Sequence, residues 1–336
     1  MIAASHMSSL RSRGGFPSRP LVMFLSILLG STLPAGAAPG ARVTNVNPAS
    51  LTVPRLSIIT YNMLHGFGNY LNDVTLDERL TLLSRAIASD PPDVLILQEA
   101  SVTGRHGNVV DRLRDMLNGS LAAAGISYNS AQLMANGSSF VGFFEGSAIL
   151  SRFRILSTEG LVYAAQAMLP PERRVALRAR LWSAIGDVTV IGTHLTNTEA
   201  RSGGQLTRTL QAQELARWIR ADIGGDGATL TILGGDFNDS PGSATIGQVL
   251  AAGGRDAWSD ANGAAPVAGQ GRTGLNGTVR DPGDIAEERI DFLFVFGRNV
   301  AVESVSLFLA AASVDSSGLP LWASDHIGVR AELVLH

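Results

Sequence analysis

The chain has 336 residues, 45% hydrophobic and 16% charged, with a formal net charge of −3 at pH 7. That length and apolar content suffice for a full core and exclude a mostly disordered chain. It has no cysteine, which rules out disulfides, thiolate metal sites and cysteine nucleophiles, and no lysine, so its permanent positive charge is all arginine.

Arg11, Arg13 and Arg19 precede an apolar stretch from Leu21 to Leu33 and the small residues Ala35, Gly36 and Ala37. This is the layout of a secretory leader cleaved near Ala37, and the apolar run is short for a membrane span. A secreted or periplasmic location is expected. Loss of residues 1–37 removes three arginines and no acids, moving the net charge from −3 to −6. An acidic total argues against sequence-independent coating of nucleic acid but is compatible with a local arginine patch. Residues 38–54 read as a Pro- and Ala-rich linker, and 55–336 as one folded domain.

In chain order, Arg55 to Asn62 reads as a strand. Leu76 to Ser89 has helical apolar spacing and stops at Asp90-Pro91-Pro92, and Asp93 to Gln98 is a second buried strand. Leu113 to Ala124 reads as a helix and Gly142 to Ser151 as a strand. Val175 to Trp182 and Val188 to His194 read as two strands joined by a turn at Ile185-Gly186-Asp187. Leu206, Leu210, Leu215 and Ile219 give Gln205 to Ala221 one apolar helical face. There follow a strand ending at Asp236, a helix near Ser243 to Ala252, and strands at Asp291 to Phe296 and Val329 to Leu335. Residues 255–289, rich in Gly, Ala and Pro, read as a long surface loop. Hairpin-like strands mixed with helices argue against a purely parallel sheet and for two packed mixed β-sheets flanked by helices.

The most informative stretch is TLTILGGDFNDSPGS, Thr229 to Ser243. Strand alternation puts Asp236 and Asn238 on one side, and Gly234, Gly235, Pro241 and Gly242 shape the turn. A carboxylate beside a carboxamide offers an acceptor for a water proton or a metal and a donor for developing negative charge, as phosphoryl chemistry requires. Asn62, Glu99, His194, Asp291, and Asp325 with His326 also stand at the ends of apolar strands. Singly, each has a plain structural explanation: an ion pair for Glu99, a satisfied core histidine for His194, a cap or turn for Asp325 and His326. Together they call for a common one, and hard oxygen ligands favour Mg²⁺, Mn²⁺ or Ca²⁺ over zinc.

The motifs ITYN (Asn62), LQE (Glu99), GTHL (His194), GGDFN (Asp236, Asn238), RIDF (Asp291) and SDH (Asp325, His326) occur in this order. From Leu56 to Leu335 the chain resembles the endonuclease/exonuclease/phosphatase superfamily, which includes DNase I-like nucleases, repair nucleases, bacterial sphingomyelinases and inositol-phosphate phosphatases. The resemblance implies a DNase I-like four-layer α/β sandwich and metal-dependent phosphoester hydrolysis. Glu99 would then hold the cation, with Asn62 supporting that carboxylate or contacting the metal and Asp325 contributing through water. His326, oriented by Asp291, would be the general base or proton carrier. Asp236 would position the nucleophile, Asn238 would donate to a non-bridging oxygen, and His194 would stabilise phosphoryl charge. Whether Asp236 or His326 takes the water proton stays open.

His65 in NMLHG is a supporting candidate for phosphate or metal, and Arg174 for phosphate. Leu64 stands where some members carry a second acidic ligand, so a single metal is expected. Trp258 and Trp322 either stack on a base or headgroup or simply pack. Phe140 to Phe144, FVGFF, is the nearest candidate for a membrane-facing hairpin, although GSAILSRF after it reads as core strand. The expected activity is that of an exported phosphodiesterase of nuclease type. A lipid-headgroup phosphodiesterase, a phosphomonoesterase and, remotely, a non-catalytic binder are the alternatives. The expected partner is the phosphoester substrate, nucleic acid or phospholipid headgroup, with no obligate protein partner and a monomeric state.

Overall fold

The computed structural model describes residues 54–336 apart from 67–69, 139, 141, 169–170, 184–185, 223–229, 264–270, 276, 282–287 and 298. The expected leader, and the linker up to its last residue, lie outside the described residues. The longer strands are β1 (Arg55–Asn62), β2 (Val94–Thr103), β3 (Asn129–Ser138), β4 (Phe143–Ser151), β5 (Arg154–Val162) and β6 (Val175–Ser183). After them come β7 (Gly186–His194), β8 (Leu230–Asp236), β9 (Asp291–Phe296), β10 (Val300–Phe308) and β11 (Gly328–Leu335). The helices are α1 (Tyr70–Ser89), α2 (Val109–Leu121), α3 (Thr207–Asp222), α4 (Ala244–Ala251) and α5 (Ala257–Asn262).

These strands form two mixed sheets, ordered β10-β11-β1-β2-β4-β3 and β9-β8-β7-β6-β5. Each sheet has one central parallel pair, β1 with β2 and β7 with β8, and its other neighbours run antiparallel. A parallel pair needs a long crossover, which α1 and α3 supply. Apolar side chains fill three interfaces. Ile58, Ile96, Ile149, Val190, Ile232 and Leu293 lie between the sheets. Leu80, Leu83, Ile87, Leu113 and Leu117 pack α1 and α2 on the first sheet, and Leu215, Ile219, Ile246 and Val249 pack α3 and α4 on the second. Adjacent Ile58 and Ile59 enter different interfaces, as strand alternation requires. The four-layer α/β sandwich is the architecture expected from the sequence.

The two glycines before Asp236 have a packing cause. A Cβ on Gly234 would stand 2.7 Å from Ile96 Cδ1 of the opposite sheet, and one on Gly192 2.9 Å from Ile96 Cγ2. A Cβ on Gly235 would stand 2.2 Å from the Thr193 carbonyl oxygen. Glycine at 192 and 234 lets the sheets close on each other directly behind the strand ends, and glycine at 235 leaves room for the backbone of the neighbouring strand β7.

Several boundaries differ from expectation. Strands β3, β5 and β10, unassigned from sequence, are edge strands with largely part-exposed residues, so they lack an apolar run. Helix α1 begins six residues early, at Tyr70. Strand β8 ends at Asp236, and Asn238 has φ +49°, so strand alternation does not relate the two side chains.

Residues 255–289 are also more than a surface loop. Arg255–Asp256 pairs with β9, and Thr273 and Val279 are fully buried. The Thr273 hydroxyl accepts from the amides of Ile290 and Asp291 (3.0 Å each), and its carbonyl accepts from Ile327 (2.7 Å). Polar backbone contacts anchor this strap, so apolar periodicity gives no sign of it. Trp258 packs on the core between the sheets, with the Arg289 guanidinium 5.9 Å from its ring centroid. Trp322 is half-buried, its amide bonded to the Val279 carbonyl. Among the described residues no helix is long and apolar enough to cross a membrane.

Gly234→Ala should destabilise the fold by about 1–3 kcal/mol through overpacking. Adding Ile96→Val, which removes the opposing Cδ1, should recover part of that loss in a double-mutant unfolding cycle. Strict additivity would show that the contact between the sheets is not the cause.

Candidate active site

Strand β1 delivers Asn62, which is wholly buried. Its Oδ1 accepts from the Leu64 amide (3.0 Å), an Asx turn that fixes the carboxamide. Nδ2 then donates to Glu99 Oε1 and across the sheets to Asp236 Oδ2, both at 3.2 Å, and lies 3.4 Å from His326 Nε2. Glu99 sits at a β-bulge in β2, which re-aims a side chain relative to the regular pleat. Its Oε2 accepts from the His65 amide at 3.0 Å. Burial alone would raise the Glu99 carboxyl, but His65, His326 and the Asn62 amide outweigh it and hold it below the usual range. Among the described residues the non-glycine positions with positive φ are Leu64, Glu99, Asn238 and Leu309, and the first three belong to this site.

The second sheet presents three strand-end residues side by side. His194 is in register with Asp236, and Asp236 with Asp291. Arg174 Nη1 lies 2.7 Å from His194 Nδ1. A guanidinium can only donate, so Nδ1 accepts and the ring proton is on Nε2, 3.4 Å from Asp236 Oδ2. Burial and the Arg174 charge hold His194 well below the usual histidine range, leaving it neutral at pH 7. Arg174 is also ion-paired to Glu172, so the structure engages it in fixing the His194 tautomer.

Asp236 Oδ1 accepts from the Asn238 amide at 2.9 Å. Burial and the neighbouring Asp291 push the Asp236 carboxyl up to about 7. The Asn238 carboxamide donates to the Leu195 carbonyl (2.9 Å), which leaves one N–H for a substrate. His326 Nδ1 lies 2.8 Å from Asp291 Oδ2, and its Nε2 lies 3.6 Å from Asp236 Oδ2. Burial opposes the imidazolium, but Asp291 and Asp236 outweigh it and lift His326 well above its usual range. Asp325 accepts from the Ser324 hydroxyl at 3.3 Å, and burial raises its carboxyl. All the strand-end candidates therefore converge, with His65 and Arg174 beside them.

Sequence reasoning missed two residues. Glu145 in β4 places Oε2 3.5 Å from His65 Nε2. An acid at the head of an apolar strand is the signal that marked the other candidates, but here the aromatic run beside it drew the reading. Arg79 in α1 is 1% exposed. It donates to the carbonyls of Met63 (2.9 Å), Leu64 (3.0 Å), Asn72 (3.2 Å) and Ala323 (3.2 Å), tying the turn after β1 to the turn before Asp325. Burial pushes Arg79 down to about 10, so it stays charged at pH 7. Its place on the apolar stripe with Leu76, Leu80 and Leu83 was visible in the sequence.

Five carboxylates, those of Glu99, Glu145, Asp236, Asp291 and Asp325, thus meet at one rim. Ligand atoms of His65, Glu99 and Glu145, and those of Asp236, Asp291 and His326, lie within 4.8 Å of one another in each group. An anionic phosphate is repelled by such a rim unless a cation offsets it. Carboxylates with imidazoles beside them are a fitting donor set for a divalent cation, which Glu99 would hold with Asn62 fixing that carboxylate through Nδ2. When bound there, the cation supplies positive charge to the phosphoryl oxygens.

The model of the endonuclease/exonuclease/phosphatase family matches residues 59–326, and the chain belongs to that family. It is a metal-dependent phosphoester hydrolase by family and by site. Among curated proteins no significant match was found. An endonuclease/exonuclease/phosphatase family protein from Bacteroides thetaiotaomicron superposes with TM-score 0.63 and 19% identity, covering 84% of this chain and 96% of that one. The mannosyl-6-phosphatase of Bacteroides thetaiotaomicron VPI-5482 gives 0.61 and 19%, over 83% and 99%. D. rerio TDP2 complexed with a single-strand DNA product gives 0.58 and 22%, over 83% and 98%. At these identities the likeness concerns the fold.

Arg79→Met strips several buried carbonyls of their donor and should cost on the order of 3 kcal/mol, read by thermal unfolding. An unchanged Tm would show that the clamp contributes nothing. In EDTA, the stabilising contribution of His326 should be complete below its unfolded value of about 6.5 and disappear as pH rises through its raised folded value. His326→Gln should therefore flatten the alkaline limb of a plot of Tm against pH. A limb of the same slope in both proteins would contradict this assignment.

Proposed function

We propose that the protein is an exported, divalent-metal-dependent phosphodiesterase of the nuclease type. The observation that carries the chemistry is the position of Asp236 Oδ2, 3.2 Å from Asn62 Nδ2, 3.4 Å from His194 Nε2 and 3.6 Å from His326 Nε2. A carboxylate pushed up to about 7 is matched to accept a water proton near neutrality. His326 keeps its own proton through Asp291, which makes Asp236 the base and His326 the acid beside it. His194 Nε2–H and the second Asn238 N–H donate to the phosphoryl oxygens.

Export is supported by the leader-like pattern from Arg11 to Ala37. A nucleic acid substrate is supported by the structural neighbour that holds a single-strand DNA product. One observation favours a second reading, hydrolysis of a lipid headgroup. Phe140 is 96% exposed in the turn between β3 and β4, close in sequence to Phe143, whose ring lies 5.0 Å from that of His65. Such an aromatic tip suits a bilayer interface.

The test is hydrolysis of plasmid DNA, sphingomyelin vesicles, a small phosphodiester and a phosphomonoester by the chain from residue 38, with Mg²⁺, Mn²⁺ or EDTA. DNA cleavage that EDTA abolishes, and that Asp236→Ala and His326→Ala each reduce at least about a thousandfold, is the expected outcome. Cleavage of vesicles alone, lost in Phe140→Ser, would replace nuclease by headgroup phosphodiesterase. Turnover of the monoester alone would replace it by phosphatase. Secreted protein whose N-terminus does not begin near residue 38 would refute the leader.

A further inference from the structure

We infer that His65 and Glu145 complete, with Glu99, a cation site containing a nitrogen ligand, which takes a first-row transition ion such as Mn²⁺ in preference to Mg²⁺. The inference rests on the reading of this rim as a metal-dependent phosphoester hydrolase site. It keeps the single cation expected from Leu64, with the acid absent at position 64 supplied from β4 by Glu145.

Three segments build the site. The chain leaves β1 through Leu64 at φ +52°, and Arg79 holds the Leu64 carbonyl at 3.0 Å from both Nη1 and Nη2. His65 follows, its ring edge-on to Phe143. Glu145 lies directly across the ladder from Ser101, on the same face of the sheet. Ser101 is 1% exposed, and its hydroxyl has no hydrogen-bond partner among the described residues, so a buried, unpartnered polar atom lies beside Glu145 on this face. Each glutamate has one oxygen held by an asparagine amide. Asn62 Nδ2 binds Glu99 Oε1 at 3.2 Å, and Asn136 Nδ2 binds Glu145 Oε1 at 3.0 Å. Such outer contacts orient metal ligands and turn the Oε2 of each glutamate toward His65, whose amide also donates to Glu99 Oε2 at 3.0 Å.

Distances separate an ion site from a hydrogen bond. His65 Nε2 stands 3.5 Å from Glu99 Oε2 and 3.5 Å from Glu145 Oε2. A charge-assisted hydrogen bond closes to about 2.7–2.9 Å. Two ligands each about 2.1 Å from one ion lie roughly 3.0 Å apart along an octahedral edge and roughly 3.4 Å apart along a tetrahedral one, so a small inward shift of these side chains would seat either geometry. The other histidine–carboxylate group behaves differently, since His326 Nδ1 is 2.8 Å from Asp291 Oδ2 and so shares a proton. An imidazole among the donors shifts preference from Mg²⁺, which keeps oxygen ligands and water, toward Mn²⁺ or Zn²⁺.

The test is Mn²⁺ binding by the chain from residue 38, followed by electron paramagnetic resonance with electron spin-echo detection of nitrogen coupling. Wild type should show ¹⁴N modulation that His65→Gln loses. His65→Gln and Glu145→Gln should each weaken Mn²⁺ binding at least about tenfold, and His65→Gln should leave Mg²⁺ binding within about threefold. Circular dichroism melting confirms the fold of each variant. No nitrogen modulation in wild type, or equal Mn²⁺ affinity in folded variants, overturns the inference and makes His65 a charge clamp between two glutamates. Should His65→Gln not fold, Mn²⁺-induced broadening of the wild-type His65 and Phe143 resonances ahead of those of His194 and His326 supports the site, and the reverse order overturns it. Nitrogen coupling without hydrolysis of any phosphoester sinks the functional reading alone. Hydrolysis without nitrogen coupling sinks this inference alone.

Discussion

The hydrogen bond from Asn62 Nδ2 to Asp236 Oδ2, 3.2 Å long, joins a residue at the end of one sheet to a residue at the end of the other, and the chemistry depends on that closeness. Face-to-face sheets ordinarily stand about 10 Å apart, with side chains filling the gap. Here Gly192 and Gly234 contribute no side chain, and Ile96 of the opposite sheet packs directly against both. The approach therefore tightens immediately behind the strand ends, where the amide of Asn62 can reach Glu99 on its own sheet and Asp236 on the other. Wider spacing would leave two half-sites, one able to hold a cation and one able to move a proton.

Charge placement follows from the same convergence. Carboxylates crowd the rim, and the cations that balance them are fixed from behind: Arg79 under the turn after β1, and Arg174 behind His194. Neither guanidinium is free to swing onto a substrate, so each acts through the group it holds. Arg174 decides which ring nitrogen of His194 carries the proton, and Arg79 decides where the backbone before His65 runs. Asp291 does the same for His326, so the reacting groups are oriented by buried partners made before substrate arrives.

The sequence was legible where one residue type carries one structural meaning. Apolar runs gave the central strands, because these are covered on both sides, and the polar residue that ends each run marked the rim. Edge strands such as β5 have no such run and stayed invisible. Glu145 and Arg79 were harder for a different reason: each is a charged residue whose role depends on a partner distant in the chain, His65 for one and the Ala323 carbonyl for the other. The strap around Thr273 was misread as loop because its anchoring is made by backbone groups and one hydroxyl, which composition does not report. The same-side placement of Asp236 and Asn238 failed because the strand stops at Asp236 and the next two residues turn.

That failure points to how the site is held. Leu64, Glu99 and Asn238 each adopt positive φ without being glycine, at a cost on the order of 1–3 kcal/mol apiece. Glycine would relieve the strain at all three, yet at two of them the side chain is part of the site. Glu99 must leave the regular pleat to face Asn62 and His65, and Asn238 must turn back so that its amide reaches Asp236 and its carboxamide reaches Leu195. Leu64 has a different constraint: its side chain is buried with Val279 and Leu321, so a glycine would lose a contact with the strap that supports Asp291. The strain is thus the local consequence of aiming carboxylates at one another, and the three apolar interfaces are what keep the chain in that arrangement.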